Sequence, residues 1–283
     1  MRVFIAVDME GITGVVHWPQ PTTGGRELAD DENQRQQMTA DVNAVIKGAR
    51  SAGATEFVIL DSHGSAPPRP NLRLKDIDPE AKLLSYRNYF GSTQDLLEDG
   101  YDAIFIVGMH AVDGVADGIL SHNFTSTFKE IYFNGLRIGE IGFFALWAGI
   151  HNIPLTFLSG DDAACEEAKE LIPDIVTTST KKGITHGFAL LYPEAQVRAD
   201  LERGAAEAIS NVGQVKPLEM AGSVEVRIIM GGGRETIKAD ACAMFPWVER
   251  LSGTSIGFSV DTVGDALITM RTLHLLAESQ RSR

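Results

Sequence analysis

Asp8, Glu10, His63 and His110 are the residues whose types and placement could do chemistry in this chain. Each follows a short run of β-favouring apolar residues. Asp8-Met9-Glu10 follows Val3 to Val7, Asp61-Ser62-His63-Gly64 follows Glu56 to Leu60, and Gly108-Met109-His110 follows the run Asp102 to Val107. Carboxylates and imidazoles mixed in one cleft suit zinc or a similar divalent ion, whereas all-oxygen sets suit magnesium and calcium. One histidine after one strand is ordinarily a packed or loop residue; ligand types at three strand ends point to a shared site. Asp61-Ser62-His63 does not read as a hydrolase triad. Consecutive residues on an extended chain face alternate sides, and no G-x-S-x-G elbow is present. The Asp8–Glu10 pair also has the look of the acid pair in magnesium-dependent phosphotransferases, but two histidines and the lack of a nearby Lys or Arg argue against that.

The elements that must position these residues follow from periodicity. Met38, Val42, Val45 and Ile46 recur at helical spacing between Asp31 and Gly53, and Gly53 is placed to end the helix. Ile141 to Ile150 reads as an apolar helix, Pro154 to Leu158 as a fourth strand ending in Gly160-Asp161-Asp162, and Ala163 to Leu171 as the next helix. Repeated βα units predict a mostly parallel sheet with right-handed crossovers, and ligands collect outside the carboxyl ends of such strands. Neighbouring parallel strands lie about 4.8 Å apart, so the three strand ends can converge. Weaker signals predict a short edge strand over Lys82 to Ser85, a short helix over Thr93 to Glu98, and a strand over Lys129 to Phe133 before the turn Asn134-Gly135. The loop from Val15 to Asp30 is long enough to be functional; His17 and Trp18 within it are in reach of a site at the end of the first strand, but the preferred reading is that they pack the loop down. Asp161 and Asp162 read as caps of the helix they precede.

Beyond about Pro173 the texture changes. A helix is expected over Pro193 to Val212, strands over Ser223 to Met230 and Thr254 to Ser259, and a closing helix over Val263 to Glu278. The expected fold class is α/β, a mostly parallel sheet with flanking helices plus a smaller C-terminal α+β portion. Residues 1–172 would form the metal-binding core, and 173–283 would complete the pocket and oligomer contacts. Gly231-Gly232-Gly233 lacks the P-loop frame.

A formal net charge of -13 over 283 residues opposes binding to a phosphate backbone, so no nucleic acid partner is expected. No apolar run approaches a membrane span and no signal-peptide pattern opens the chain, which predicts a cytoplasmic protein with no membrane partner. The sequon Asn123-Phe124-Thr125 then has no consequence. Cys165 and Cys242 lack C-x-x-C spacing and read as plain buried residues.

VDMEGITG, DSHG, GMHA, the Ser121-His122 pair, NGLRIGEIG and LSGDD occur in the order and near the spacing of one family. The chain resembles the zinc-dependent D-aminopeptidase family of metallopeptidases, closely over the first 165 or so residues and more loosely beyond. The resemblance implies two Zn2+ per subunit, with Asp8 bridging both, Glu10 and His63 completing one site, and His110 and Glu140 the other. On its own Glu140 would read as an acid at a helix N-terminus, stabilised by the dipole. His122 matches the family's catalytic histidine beside the metals. A short peptide or small amide substrate and a ring-like homo-oligomer, a decamer, are likewise implied by resemblance alone. A metal-dependent phosphoesterase and a non-catalytic metal- or peptide-binding assembly are the competing readings.

Overall fold

Strand β1 (Arg2–Val7) buries both of its faces: Val3, Ile5 and Val7 enter one core, Phe4 and Ala6 another. The computed structural model describes residues 1–18, 26–64, 70–85, 96–98, 100–124 and 126–280. Burial on both faces is the signature of a strand inside a parallel sheet. β1 pairs in parallel with β2 (Glu56–Asp61) and β4 (Ala103–Met109), with Val7 level with Asp61 on one side and Val107 on the other. Three carboxyl ends therefore finish side by side. The full sheet runs β3-β2-β1-β4-β7-β8-β9, adding β3 (Lys82–Ser85), β7 (Leu155–Asp161), β8 (Val176–Thr185) and β9 (Phe188–Leu191). Its neighbours are parallel except for the closing β8–β9 hairpin.

One face is covered by α1 (Arg26–Ser51) through Met38, Val42 and Val45, and by a later helix, Glu194–Ser210, through Val197, Leu201 and Ala205. α1 stops just before Gly53, whose φ of +105° only glycine adopts readily. On the other face lies α2 (Glu140–Ile150), apolar all round, as a helix buried between layers must be. Its Phe144, Leu146 and Trp147 share a core with Phe4 and Ile104 of the first sheet and with Ile131, Phe133 and Val226 of a second. Each such side chain contributes roughly 1.5–3 kcal/mol. The second sheet is antiparallel, ordered β11 (Glu249–Arg250), β12 (Ser255–Val260), β10 (Val224–Met230), β5 (Phe128–Phe133) and β6 (Leu136–Arg137). Asn134 and Gly135, both at positive φ, form the β5–β6 turn. The remaining helices are α3 (Asp162–Leu171), α4 (Glu194–Ser210), α5 (Glu235–Cys242) and α6 (Val263–Glu278).

The expected α/β class holds, with a mostly parallel sheet and a smaller antiparallel one. The sheets draw on both sides of residue 172: β8, β9 and α4 complete the parallel layer, while β5 and β6 join the second sheet. Sequence periodicity missed β8, β9 and α5. β8 carries Thr, Ser and Lys at positions where an alternating pattern would need apolar residues. The helix expected over Thr93 to Glu98 and the Pro-rich stretch from Ser65 to Asn71 lie largely outside the described residues, as do residues 19–25 of the loop after β1. Cys165 and Cys242 are buried and unpaired. Among the described residues no helix is long and apolar enough to cross a membrane.

Candidate metal centre

The site forms where β1, β2 and β4 end. Asp8 and Glu10 leave β1, His63 lies two residues past β2, and His110 directly follows β4. Backbones approach closely here: the Gly11 N–H donates to Gly108 O at 2.8 Å and the Asp8 N–H to Val107 O at 2.9 Å. A Cβ on Gly11 would lie 2.1 Å from Met109 O, and Gly108 combines a φ of +78° with the same lack of space. Glu140 enters from the first turn of α2, and its Oε1 accepts the Phe124 N–H at 2.7 Å.

Asp8 faces two groups at once. Its Oδ1 lies 3.0 Å from His63 Nδ1, which is 3.2 Å from Glu10 Oε2. Its Oδ2 lies 3.5 Å from His110 Nε2, which is 3.2 Å from Glu140 Oε1. His122 joins the second group, with Nε2 3.9 Å from Glu140 and its ring stacked on His110 at 4.0 Å between centroids. Asp8, Glu10 and His63 form one set of converging ligand atoms, and His110, His122 and Glu140 a second. In His110 and His122 the Nδ1 atom bonds a neighbouring carbonyl, Ala111 O at 2.9 Å and Leu120 O at 2.8 Å. That hydrogen bond sets the tautomer and leaves Nε2 aimed inward.

The buried charges demand compensation. Burial and then the nearby Glu10 push the Asp8 carboxyl up to about 6. Burial also pushes Glu10 up, but His63 outweighs it and holds Glu10 well below the usual carboxylate range. Burial pulls the imidazoles down, yet Glu10 and Asp8 hold His63 well above its ordinary value, and Glu140 lifts His110 to about 10. Glu140 is lowered because His110 overcomes its desolvation. Protons on the imidazoles thus balance the carboxylates, a task that a divalent cation performs with fewer unsatisfied atoms. Glu10 Oε2 and His110 Nε2 are buried without a hydrogen bond. Nitrogen and carboxylate donors in this mixture fit zinc.

Over residues 1–272 the chain matches the D-aminopeptidase family, Peptidase M55. The chain belongs to that family. This family member is 32% identical over 218 residues to the D-aminopeptidase of Bacillus subtilis (strain 168), covering 77% of each protein. It also resembles the solved structure of the Zn-dependent D-aminopeptidase DppA from Bacillus subtilis, a self-compartmentalizing protease. The TM-score is 0.85 and the identity 27%, over 98% of each chain.

Other residues singled out in this family member's sequence fall into supporting roles. Asp61 accepts from Asn71 N and Leu72 N and so folds the loop that carries His63. Ser62 donates to Val7 O at 2.7 Å rather than to His63, which rules out the triad arrangement. Asp161 caps α3 by accepting from Ala164 N at 2.9 Å, as expected, and Asp162 bonds Ser179. His17 is exposed and stands outside both ligand groups. Trp18 follows the less favoured of its two readings and reaches the site: it donates its indole N–H to Glu10 Oε1 at 2.6 Å and sets its ring edge-on to His122. Sequence reasoning missed Lys181 and Thr180 altogether; both back the loop after β1 from β8.

Proposed function

We propose that this chain is a zinc-dependent aminopeptidase that removes the N-terminal residue from short peptides or small amides, acting as a homo-oligomer, a decamer that encloses its sites. The observation that carries the reading is the Asp8 carboxylate, which offers one oxygen to the His63 group and the other to the His110 group. Asp8, Glu10 and His63 would hold one Zn2+, and Asp8, His110 and Glu140 a second. Bound zinc supplies Lewis acidity, polarising a carbonyl and making water acidic enough to act as a nucleophile near neutral pH. Glu10 is oriented for its part by the Trp18 N–H, and Glu140 by the Phe124 N–H. His122 keeps Nδ1 on the Leu120 carbonyl, so Nε2 is the atom that can hold a proton and pass it to a leaving amine. His122 is the most exposed of the site imidazoles, and that suits contact with substrate.

Residues 1–172 would supply every ligand, and 173–283 complete the pocket through β8 and its neighbours. The same reading places the enzyme in the cytoplasm, where unpaired Cys165 and Cys242 are at home. The aminopeptidases named above support zinc, a peptide substrate and assembly. The test pairs zinc content per chain with hydrolysis of D- and L-alanyl p-nitroanilides. Wild type should carry two zincs and cleave one isomer preferentially, and Asp8→Ala should lose both metal and turnover. His122→Ala should keep zinc while kcat falls about 100- to 10,000-fold. A His122→Ala protein that loses zinc would make His122 a ligand instead.

A further inference from the structure

Lys181 is fully buried in β8, yet it forms no ion pair among the described residues. Its Nζ donates to Glu10 O at 2.6 Å, to Ile12 O at 2.8 Å and to Val15 O. Three carbonyls around one nitrogen need three N–H donors, and only the ammonium form has them. Thr180 adds a fourth tether, its hydroxyl lying 2.6 Å from Gly11 O. Desolvating an ammonium is costly unless the surroundings repay it. Here three carbonyl oxygens stand in for the lost water, and the consequence is order imposed on one segment, residues 10–15, which begins with a candidate zinc ligand. Carbonyls arranged in this way form a cation site, and the chain fills it with its own side chain.

We propose that Lys181 is a positioning residue for the metal-bearing loop. Its ammonium occupies the carbonyl cage of Glu10, Ile12 and Val15, and by fixing those peptide planes it holds the Glu10 carboxylate toward Asp8 and His63. With its carbonyl anchored on Lys181, Glu10 has its backbone set from one side while the Trp18 indole sets its carboxylate from the other. The inference rests on reading Asp8, Glu10 and His63 as a zinc group.

The experiment measures zinc affinity of the metal-free full chain by competition with a chromophoric chelator, together with hydrogen exchange of the amides after β1. Lys181→Met should stay folded but bind zinc roughly 10- to 100-fold more weakly, the usual cost of losing a support behind a metal ligand. Exchange after β1 should accelerate, and Lys182→Met, altering an exposed neighbour, should behave as wild type. Lys181→Ala should regain zinc affinity when methylammonium is added and not when tetramethylammonium is, because only the former can donate to the cage. Wild-type zinc affinity in Lys181→Met overturns the proposal. Should Lys181→Met fail to fold, the alanine variant decides. Methylammonium restoring fold and zinc affinity together supports the proposal, while restoring fold alone, or neither, overturns it. Absence of zinc binding in the wild type would refute the zinc reading instead, and loop exchange then tests Lys181 alone: equal rates in wild type and Lys181→Met overturn its role.

Discussion

Asp8 and Glu10 sit two positions apart on one strand end and are nonetheless pushed in opposite directions: burial and then the Glu10 charge raise the Asp8 carboxyl, while at Glu10 the His63 charge overcomes burial and lowers it. Side-chain identity sets what each residue can do; its neighbours decide which form it takes. Trp18 extends the same logic. Trp18→Phe keeps an aromatic ring beside His122 but removes the N–H that Glu10 accepts, a charge-assisted bond worth roughly 1.5–3 kcal/mol when well shielded. Trp18 is partly exposed, so the expected cost is toward the lower end, about tenfold in kcat/KM with kcat affected more than KM. Steady-state kinetics on the alanyl anilides would show it. Glu167 gives a stability prediction. It accepts the Val112 N–H at 2.7 Å, behind the loop after β4, and burial raises its carboxyl to about 7 from 4.5. The folded state therefore binds this proton more tightly than the unfolded state. The stabilisation is complete below pH 4.5 and is lost as pH rises through 7. Glu167→Gln keeps an acceptor for Val112 without the ionisation, so its Tm should exceed that of wild type at pH 8 and lose the difference below pH 4.5. Thermal melts across that range would check it.

At the scale of elements, the site exists because three parallel strands end level and two glycines allow their loops to touch. Gly11→Ala would place a methyl group against Met109 O, 2.1 Å from the added Cβ, and backbone cannot rotate away as a side chain can. The expected result is a loss of about 3 kcal/mol in denaturant unfolding. Zinc content should fall with it, because the loops bearing Glu10 and His110 are forced apart. β8 shows the reverse case, an element whose polar sequence looks unsuited to a core. Its Thr180 and Lys181 are buried because they satisfy carbonyls of a neighbouring loop, a pairing that neither segment shows by itself.

At the scale of the whole molecule, α2 and the antiparallel sheet close one face of the parallel sheet, while α1 and α4 close the other. Among the exposed apolar side chains, Ile184, Phe188, Leu190 and Leu191 lie together on the closing hairpin and are all solvent-accessible in the single chain. An edge strand with apolar side chains left open is the kind of surface that assembly covers. Light scattering coupled to size exclusion should give the mass of ten chains for wild type, and a monomeric mass would refute the enclosed assembly. Adding a strong chelator should lower Tm, since metal bound to the folded state alone stabilises it by mass action.

The sequence by itself determined the buried apolar strand runs, the α/β class and the candidate ligands Asp8, Glu10, His63 and His110, because buried parallel strands leave continuous apolar runs and polar residues can first be accommodated at their ends. Glu140 and His122 were legible only through resemblance, since an acid opening a helix and a histidine in a loop have ordinary local explanations. The two-sided role of Asp8 was likewise implied by resemblance, whereas tertiary structure alone decided that Trp18 donates to Glu10, that β8 belongs to the parallel sheet and that Lys181 backs the loop after β1. Those facts depend on contacts between segments up to 171 positions apart, and periodicity, which reports only a segment's own faces, carries no record of the partner.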